Sequence, residues 1–294
     1  MYHLVYYHHP CAENLSLKYS STDPSDVVQR RYEDGGKTKL LGYPFNTPIY
    51  VLYEGNDTTT HADEIEYGLG WLEERLDGLP RSTQVITFRL LELLQAAVDV
   101  REEDEFRLYK DFEPMQVHRA LENVSWGASL PVVAGELMSN LVLRHPLPNA
   151  NHRTSIAMLQ FCIESVAPSF EMPTTHVDDH TWKAWVDPYI VESKRLITVR
   201  RNNVRFKRLA ELGVDVVERK GGIQIWLTDY ELDMHWRDAL TKYAERHEAH
   251  CTQFVEEIFE RTGRSDLTGR KGPTRDGFAE FLESGGDGDF RELF

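Results

Sequence analysis

The spacing of apolar residues changes character several times along this chain, and each change marks an expected element. Residues 1–58 are rich in Tyr, Pro, Gly and Thr, and within them 47–53 (TPIYVLY) is β-branched and aromatic enough to predict a strand. From His61 the period turns helical: Ile65, Leu69, Leu72 and Leu76 recur three or four apart, and 85–98 continues the theme. Residues 99–113 are charged and predict a surface connection with a short hairpin around 106–112. Val133, Leu137 and Leu141 share one face, with Ala134, Met138 and Val142 beside them, so 131–144 is an expected amphipathic helix. Residues 156–163 (IAMLQFCI) are apolar almost all round, as in a helix buried at the centre of a bundle. Further on, 214–227 has two β-rich arms around Gly221-Gly222 and predicts a hairpin. Thr228 with Glu231 fits a capping box, and the helix it would open runs to Gly263. The tail, GRKGPTRDG and then ESGGDGDF, is rich in Gly and charge and is expected to be loosely held. The expected fold class is mainly α with small β-hairpin elements. It falls into a β-containing N-terminal extension (1–58), a helical core (59–198) and a C-terminal hairpin, long helix and tail (199–294).

Charge narrows the function classes. The 294 residues carry 48 acids against 33 bases, a net charge of −15. That argues against a general nucleic-acid coat or a membrane-surface protein, both of which need a basic face. The bases divide into 10 Lys and 23 Arg, an acid-rich, Lys-poor pattern that fits a high-salt cytoplasm. Cys11, Cys162 and Cys251 are far apart, and an odd, sparse count suits a reducing compartment. The N-terminus has no basic start followed by an apolar run, and no stretch approaches 18 consecutive apolar residues. A cytoplasmic protein with no membrane partner is expected.

The segment between the two apolar helices, His145-Pro146-Leu147-Pro148-Asn149-Ala150-Asn151-His152-Arg153, holds the densest chemistry. Pro146 and Pro148 cannot continue the helix before them and force a turn. Asn149 or Asn151 is a natural N-cap for the helix that follows, whose first-turn amides would form an anion site. His152 and Arg153 fall in that first turn, where a cation opposes the helix dipole by roughly 0.3–1 kcal/mol. An Arg there makes sense beside a polyphosphate, because its fork binds phosphate oxygens in pairs. His145, across the turn, is placed to take a proton from an attacking hydroxyl. The same residues also read as a helix cap and simple turn formers.

This stretch, HPLPNANHRTSIAMLQF, resembles the motif of the Fic/Doc (fido) family, H-[PX]-F-x-[DE]-[GA]-N-[GK]-R, flanked by helices of this kind. Its Ala150-Asn151-x-Arg153-Thr154 portion is more similar to the Doc branch (ANKRTA) than to the Fic branch (GNGRxxR). The region compatible with the family's helical core is roughly 61–195; residues 1–58 and 200–294 lie outside the resemblance. The resemblance implies a fido-type helical bundle that takes ATP or another nucleoside triphosphate, with Mg²⁺, and passes AMP or a phosphoryl group to a Ser, Thr or Tyr hydroxyl of a target protein. It implies His145 as general base and the backbone of Pro148 to His152, with Asn149 and Ala150 between them, as the anion hole. It also implies Asn151 on a phosphate and Arg153 on the terminal phosphates. Most of the catalytic gain would be positioning and charge neutralisation.

The match has departures. Asn149 stands where the family has its acidic metal ligand, and offers a neutral oxygen to Mg²⁺ instead. Leu147 replaces a Phe, and Ile156 replaces the second Arg of Fic enzymes. His152 replaces Gly or Lys, and a bulky group there tilts the choice toward phosphoryl transfer. None of the Glu-Gly or Glu-Asn pairs at Glu13, Glu54 and Glu122 has the Ser or Thr four residues earlier that marks the family's inhibitory helix. Restraint would then come from a separate antitoxin-like partner, as in toxin–antitoxin pairs, or from the segments outside the core.

Other signals compete. His176 with His180 has i, i+4 spacing, and His247, His250 and Cys251 read HEAHC, one residue short of the zinc pattern H-E-x-x-H. His3, His8, His9 and Cys11 are a further possible metal group, and each set reads more simply as surface or core histidines. Residues 194–208 hold seven bases and no acid, a patch suited to an acidic partner or RNA. That patch and the missing acid at 149 carry the alternative of a catalytically weakened fido scaffold that only binds protein or nucleic acid.

Overall fold

The strand expected at 47–53 is present as β5 (Ile49–Gly55), and the rest of the N-terminal region is built around it. The structure is a computed structural model that describes residues 2–34, 37–55, 60–61, 74–99, 107–108, 110–177 and 181–285. The chain divides into two units, Met1–Thr58 with Val191–Glu245, and Thr59–Ile190 with Arg246–Phe294. The first boundary coincides with the change of texture in the sequence. The last third, 199–294, is shared between the units rather than forming a part of its own.

In the first unit β5 lies between β3 (Ala12–Ser21) and β4 (Lys37–Tyr43) in an antiparallel sheet of order β2-β3-β5-β4, with β2 at His8–His9. Helix α1 (Pro24–Asp34) packs on β3 and β5. Ile49, Val51 and Tyr53 join the buried core of the unit. Being covered explains why β5 is apolar at nearly every position rather than at alternate ones. A second sheet has the order β1-β8-β9 (Leu4–Tyr6, Val216–Arg219, Ile223–Trp226). Its β8–β9 pair is the hairpin expected around Gly221-Gly222, which turn at φ 74° and 69°. Those angles suit glycine because they cost it nothing. Three tyrosine groups tie the sheets: Tyr6 N–H donates to Tyr43 Oη (3.0 Å), Tyr43 to Tyr53 (2.6 Å), and Tyr53 back to Tyr6 O (2.8 Å).

The second unit is helical. The 85–98 periodicity is α2 (Arg81–Asp99), the 131–144 helix is α4 (Leu130–Arg144), and the all-apolar 156–163 run lies in α5 (Asn151–Glu164). Helices α4 and α5 supply much of the unit's core, with α3 (Pro114–Leu121), the later part of α7 (Trp236–Arg261) and α8 (Arg275–Ser284) around them. Helix α6 (Asp187–Glu211) and α7 each contain a boundary between units. Helices α4 and α7 approach closely: a Cβ at Gly135 would lie 2.7 Å from Thr252 Cα. About one turn further along α4, Ser139 Oγ and His247 Nδ1 are 2.7 Å apart, both buried. Among the described residues the chain is mainly α-helical, and no helix is long and apolar enough to cross a membrane.

Four local expectations are corrected or fall outside the description. Thr228 does not cap a helix: 227–229 is a single 3₁₀ turn, Tyr230 is extended, and α7 starts at Trp236. Burial of Tyr230 and Leu232 in the core holds that stretch open, and His235 Nδ1 accepts from Arg237 N–H (3.3 Å) as the actual cap. As far as Gly285 the tail is docked, not loose: Leu130 N–H donates to Arg270 O and Gly272 N–H to Ala128 O (both 2.7 Å), and Phe278 and Leu282 of α8 are buried; the rest of ESGGDGDF lies outside the described residues. β7 (Arg107–Leu108) pairs with β6 (Thr60–His61) rather than with a neighbour in 106–112, and His61 is therefore in a strand. Ile65, Leu69 and Leu72, like His180, lie outside the described residues.

Gly135 gives the packing a direct test. Gly135→Ala forces a methyl group into the Thr252 backbone, and overpacking of this kind costs about 1–3 kcal/mol. Urea unfolding should show a lower midpoint by that amount; an unchanged midpoint would mean that α4 and α7 are further apart than described.

Candidate functional site

Two prolines and two apolar helices leave the chain six residues, 145–150, in which to reverse direction inside the second unit. His145 ends α4 at φ 52°, and its N–H caps Leu141 O (3.0 Å). Ala150 starts α5 at φ 57°. Among the described residues these are the non-glycine residues with positive φ. Each such L-residue costs roughly 1–2 kcal/mol, a strain that persists only where the surroundings hold it and that concentrates at functional sites.

What holds the turn is Asn151. Its side chain is 4% exposed. Oδ1 accepts from Leu147 N–H (3.1 Å) and Nδ2 donates to Leu147 O (2.9 Å), so one amide closes both backbone groups of the buried Leu147. Nδ2 also lies 3.3 Å from His145 Nδ1. With Nδ2 as donor, Nδ1 accepts, and the imidazole proton sits on Nε2. Neither Asn149 nor Asn151 is the N-cap expected from the sequence; the cap position belongs to left-handed Ala150 and has no side-chain cap bond. Asn149 Oδ1 instead accepts from Ala150 N–H (2.7 Å). The first helical bond of α5 is Thr154 N–H to Ala150 O, so the preceding amides stand outside the ladder, at the positive end of the helix dipole.

The loop therefore brings His145, Asn149, Ala150, Asn151 and the helix start together. Pro148 is buried beneath it and His152 is partly exposed on the first turn. Arg153 is placed differently: it is 8% exposed, with its guanidinium over the Trp182 ring at 5.7 Å from the centroid. Trp182 in turn packs on His176 at 4.3 Å. Sequence reasoning missed Trp182, and it missed Glu113, whose N–H donates to Pro146 O (2.9 Å). Burial works against the Glu113 charge, but Lys110, Gln116 and the His145 imidazole outweigh it and hold the carboxyl below the usual carboxylate range. Nothing local in the sequence marks either residue, because each is about 30 positions from the loop.

The donor set does not fit a resident Mg²⁺. That ion needs octahedral oxygen donors and usually a carboxylate, whereas Asn149 offers one neutral oxygen that Ala150 already uses. Among the described residues no group of three or more His, Cys, Asp or Glu could hold a metal. His247, His250 and Cys251 are helix-packing groups: His247 faces Ser139, His250 bonds Tyr189 O (2.9 Å), and Cys251 is buried. At the N-terminus His3 meets Gly213 O (2.8 Å), His8 meets Ser16 Oγ (3.2 Å), and His9 accepts from Cys11 N–H (3.1 Å).

The basic run 194–208 is also redistributed. Arg195, Arg200 and Arg205 donate to the carbonyls of Gln224, Leu240 and Lys18 at 2.9–3.1 Å. Lys207 pairs with Asp233 and Arg208 with Glu211. It is a set of internal fasteners more than one continuous patch.

The chain belongs to a family of unknown function, DUF8172, whose profile matches residues 1–286. The match spans both units, so the helical unit with its loop and the sheet-containing unit are family features together. No curated protein and no solved structure matches the chain.

Left-handed Ala150 can be tested by removing its Cβ. Ala150→Gly relieves the strain without touching the Asn151 bonds, and should raise unfolding stability by about 1 kcal/mol. A lower midpoint in urea would show that position 150 is not left-handed.

Proposed function

We propose that this protein is a nucleotide-dependent transferase of the Fic/Doc kind, which moves AMP or a phosphoryl group from a nucleoside triphosphate to a hydroxyl on a protein. One observation carries the reading: HPLPNANHR forms a strained turn that sets an imidazole across from the start of a buried helix, where Ala150 and His152 are partly exposed. The position at which the resembled motif allows only Gly or Ala is the one that takes φ 57° here, where a larger side chain would be costly.

In this reading the phosphates lie against the amides at the start of α5, with His152 beside them. Attack by the target hydroxyl on phosphorus expels pyrophosphate when AMP is transferred, or ADP when a phosphoryl group is. The hydroxyl proton goes to His145. In the resting loop the accepting nitrogen is Nδ1, so the incoming hydroxyl displaces the long 3.3 Å contact to Asn151. Asn151 acts as a positioning residue, and Glu113 favours the imidazolium that forms. Arg153, buried and over the Trp182 ring, would grip a phosphate through the edge of its guanidinium. No step here is routed through a metal.

The burial of Arg153 and the neutral residue at 149 favour a second reading, a fido-like scaffold that binds a partner without chemistry. Incubating the full chain with ATP labelled at the α or the γ phosphate, alone and with cell protein, decides between them. Transfer from the α position means AMP, transfer from γ means a phosphoryl group. Either should fall about 10²–10⁴-fold in His145→Ala. A wild-type chain that moves neither label, and stays silent when residues outside the helical unit are trimmed, contradicts the transferase reading. Activity of the chain alone also bears on an antitoxin: silence relieved by trimming residues outside the helical unit would replace a separate partner with internal restraint.

A further inference from the structure

We infer that the sheet-containing unit carries a second, separate site, which binds a phosphate group between Arg219 at the end of β8 and Arg201 on α6. Arg219 is fixed: its Nη1 donates to Lys194 O (2.8 Å) and to Thr198 Oγ1 (2.9 Å), both on α6. Those bonds set the plane of the guanidinium and leave its Nε–H, which is buried, without an acceptor. Arg201 follows Thr198 by one turn of the same helix and is exposed. The chain backbone is distorted at the next residue, Asn202 (φ −125°, ψ 17°), whose Nδ2 donates to Tyr7 Oη (3.1 Å). Arg201 and Arg219 thus lie within electrostatic reach of one another and of the Tyr7 phenol, next to the Lys220-Gly221-Gly222 turn.

Their charges act on one another. Burial first, and then Arg201, lowers the Arg219 pKa, with Tyr7 opposing. His8 is pushed down to about 4 by burial, then by Lys220 and Arg219. Carboxylates on the neighbouring elements are engaged elsewhere: Glu192 pairs with Arg195 (3.6 Å), Glu54 with Lys18 (2.5 Å), and Glu218 accepts from Gln224 (3.3 Å). In a chain of net charge −15, Arg201 and Arg219, which form no ion pair among the described residues, invite an anion to offset them. A guanidinium with an unpaired Nε–H suits a tetrahedral oxyanion, whose oxygens accept several charge-assisted bonds at once. Because this site lies on residues outside the 145–153 loop, it does not depend on the proposed transferase activity.

Titration calorimetry of the full chain with inorganic phosphate tests the site. Saturable binding is expected, weakened about 10- to 100-fold in Arg201→Gln and in Arg219→Gln, as for loss of a charge-assisted bond. Arg208→Gln, already paired with Glu211, should bind as wild type. Since Arg219 also fastens β8 to α6, circular dichroism must show that its variant is folded; the exposed Arg201 variant stands without that concern. On saturation the His8 ring resonances should titrate at a higher pH than about 4, because the anion neutralises the cations that depress it. Repeating the titration with AMP and with a short single-stranded RNA tells a small phosphorylated ligand from a nucleic-acid backbone. Absence of saturable phosphate binding, or binding lost in Arg153→Gln and kept in Arg201→Gln, overturns the assignment.

Discussion

Two helices that are apolar nearly all round can be joined by six residues only if the buried backbone groups of the turn, those of Leu147 above all, find partners. The solution here is one side chain. Asn151 supplies both an acceptor and a donor to Leu147, and left-handed residues at His145 and Ala150 turn the chain in and out. The same solution fixes where the His145 ring, the Asn149 amide and the α5 amides stand. Site geometry and core packing are thus one problem in this unit. A group that closes the core also orients the candidate base.

The Arg preference in the sequence has a structural counterpart. Arg195, Arg200, Arg205 and Arg219 donate to main-chain carbonyls of neighbouring elements in the sheet-containing unit, and Arg89 reaches Leu282 O in the helical one. A planar group with five donors can fasten two elements while partly buried. Lys18, Lys110, Lys207 and Lys242 instead pair with carboxylates nearer the surface. The count of 23 Arg to 10 Lys therefore reflects internal fastening as well as an acidic exterior. It also explains why a run of seven bases does not amount to an open basic patch.

What could be read from the sequence was what local physics decides. The all-round apolar 156–163 run required burial, the Gly221-Gly222 pair required a turn with positive φ, and two prolines required an end to α4. What escaped was decided by distant partners. The capping box at Thr228 lost to burial of Tyr230 and Leu232, and the glycine-rich tail is held by Ala128 and Leu130 from 140 residues away. The parallel pairing of β1 with β8 joins residues about 210 apart, and no pattern within either strand announces it. At the site, residue types were legible but roles were not. Asn149 and Asn151 look like caps, yet one closes on Ala150 and the other on Leu147, because Ala150 itself takes the cap conformation.

As proposed, the start of α5, bounded by His145 and Ala150, is a cradle for phosphates rather than only a tight turn. Backbone amide spectra of the ¹⁵N-labelled chain, recorded while ATP is added, test it most directly. Saturable shifts of the Ala150, Asn151, His152 and Arg153 amides are expected, with Leu147 following through its bonds to Asn151. Unmoved amides at 150–153, with shifts confined to the surroundings of Arg201 and Arg219, would contradict it.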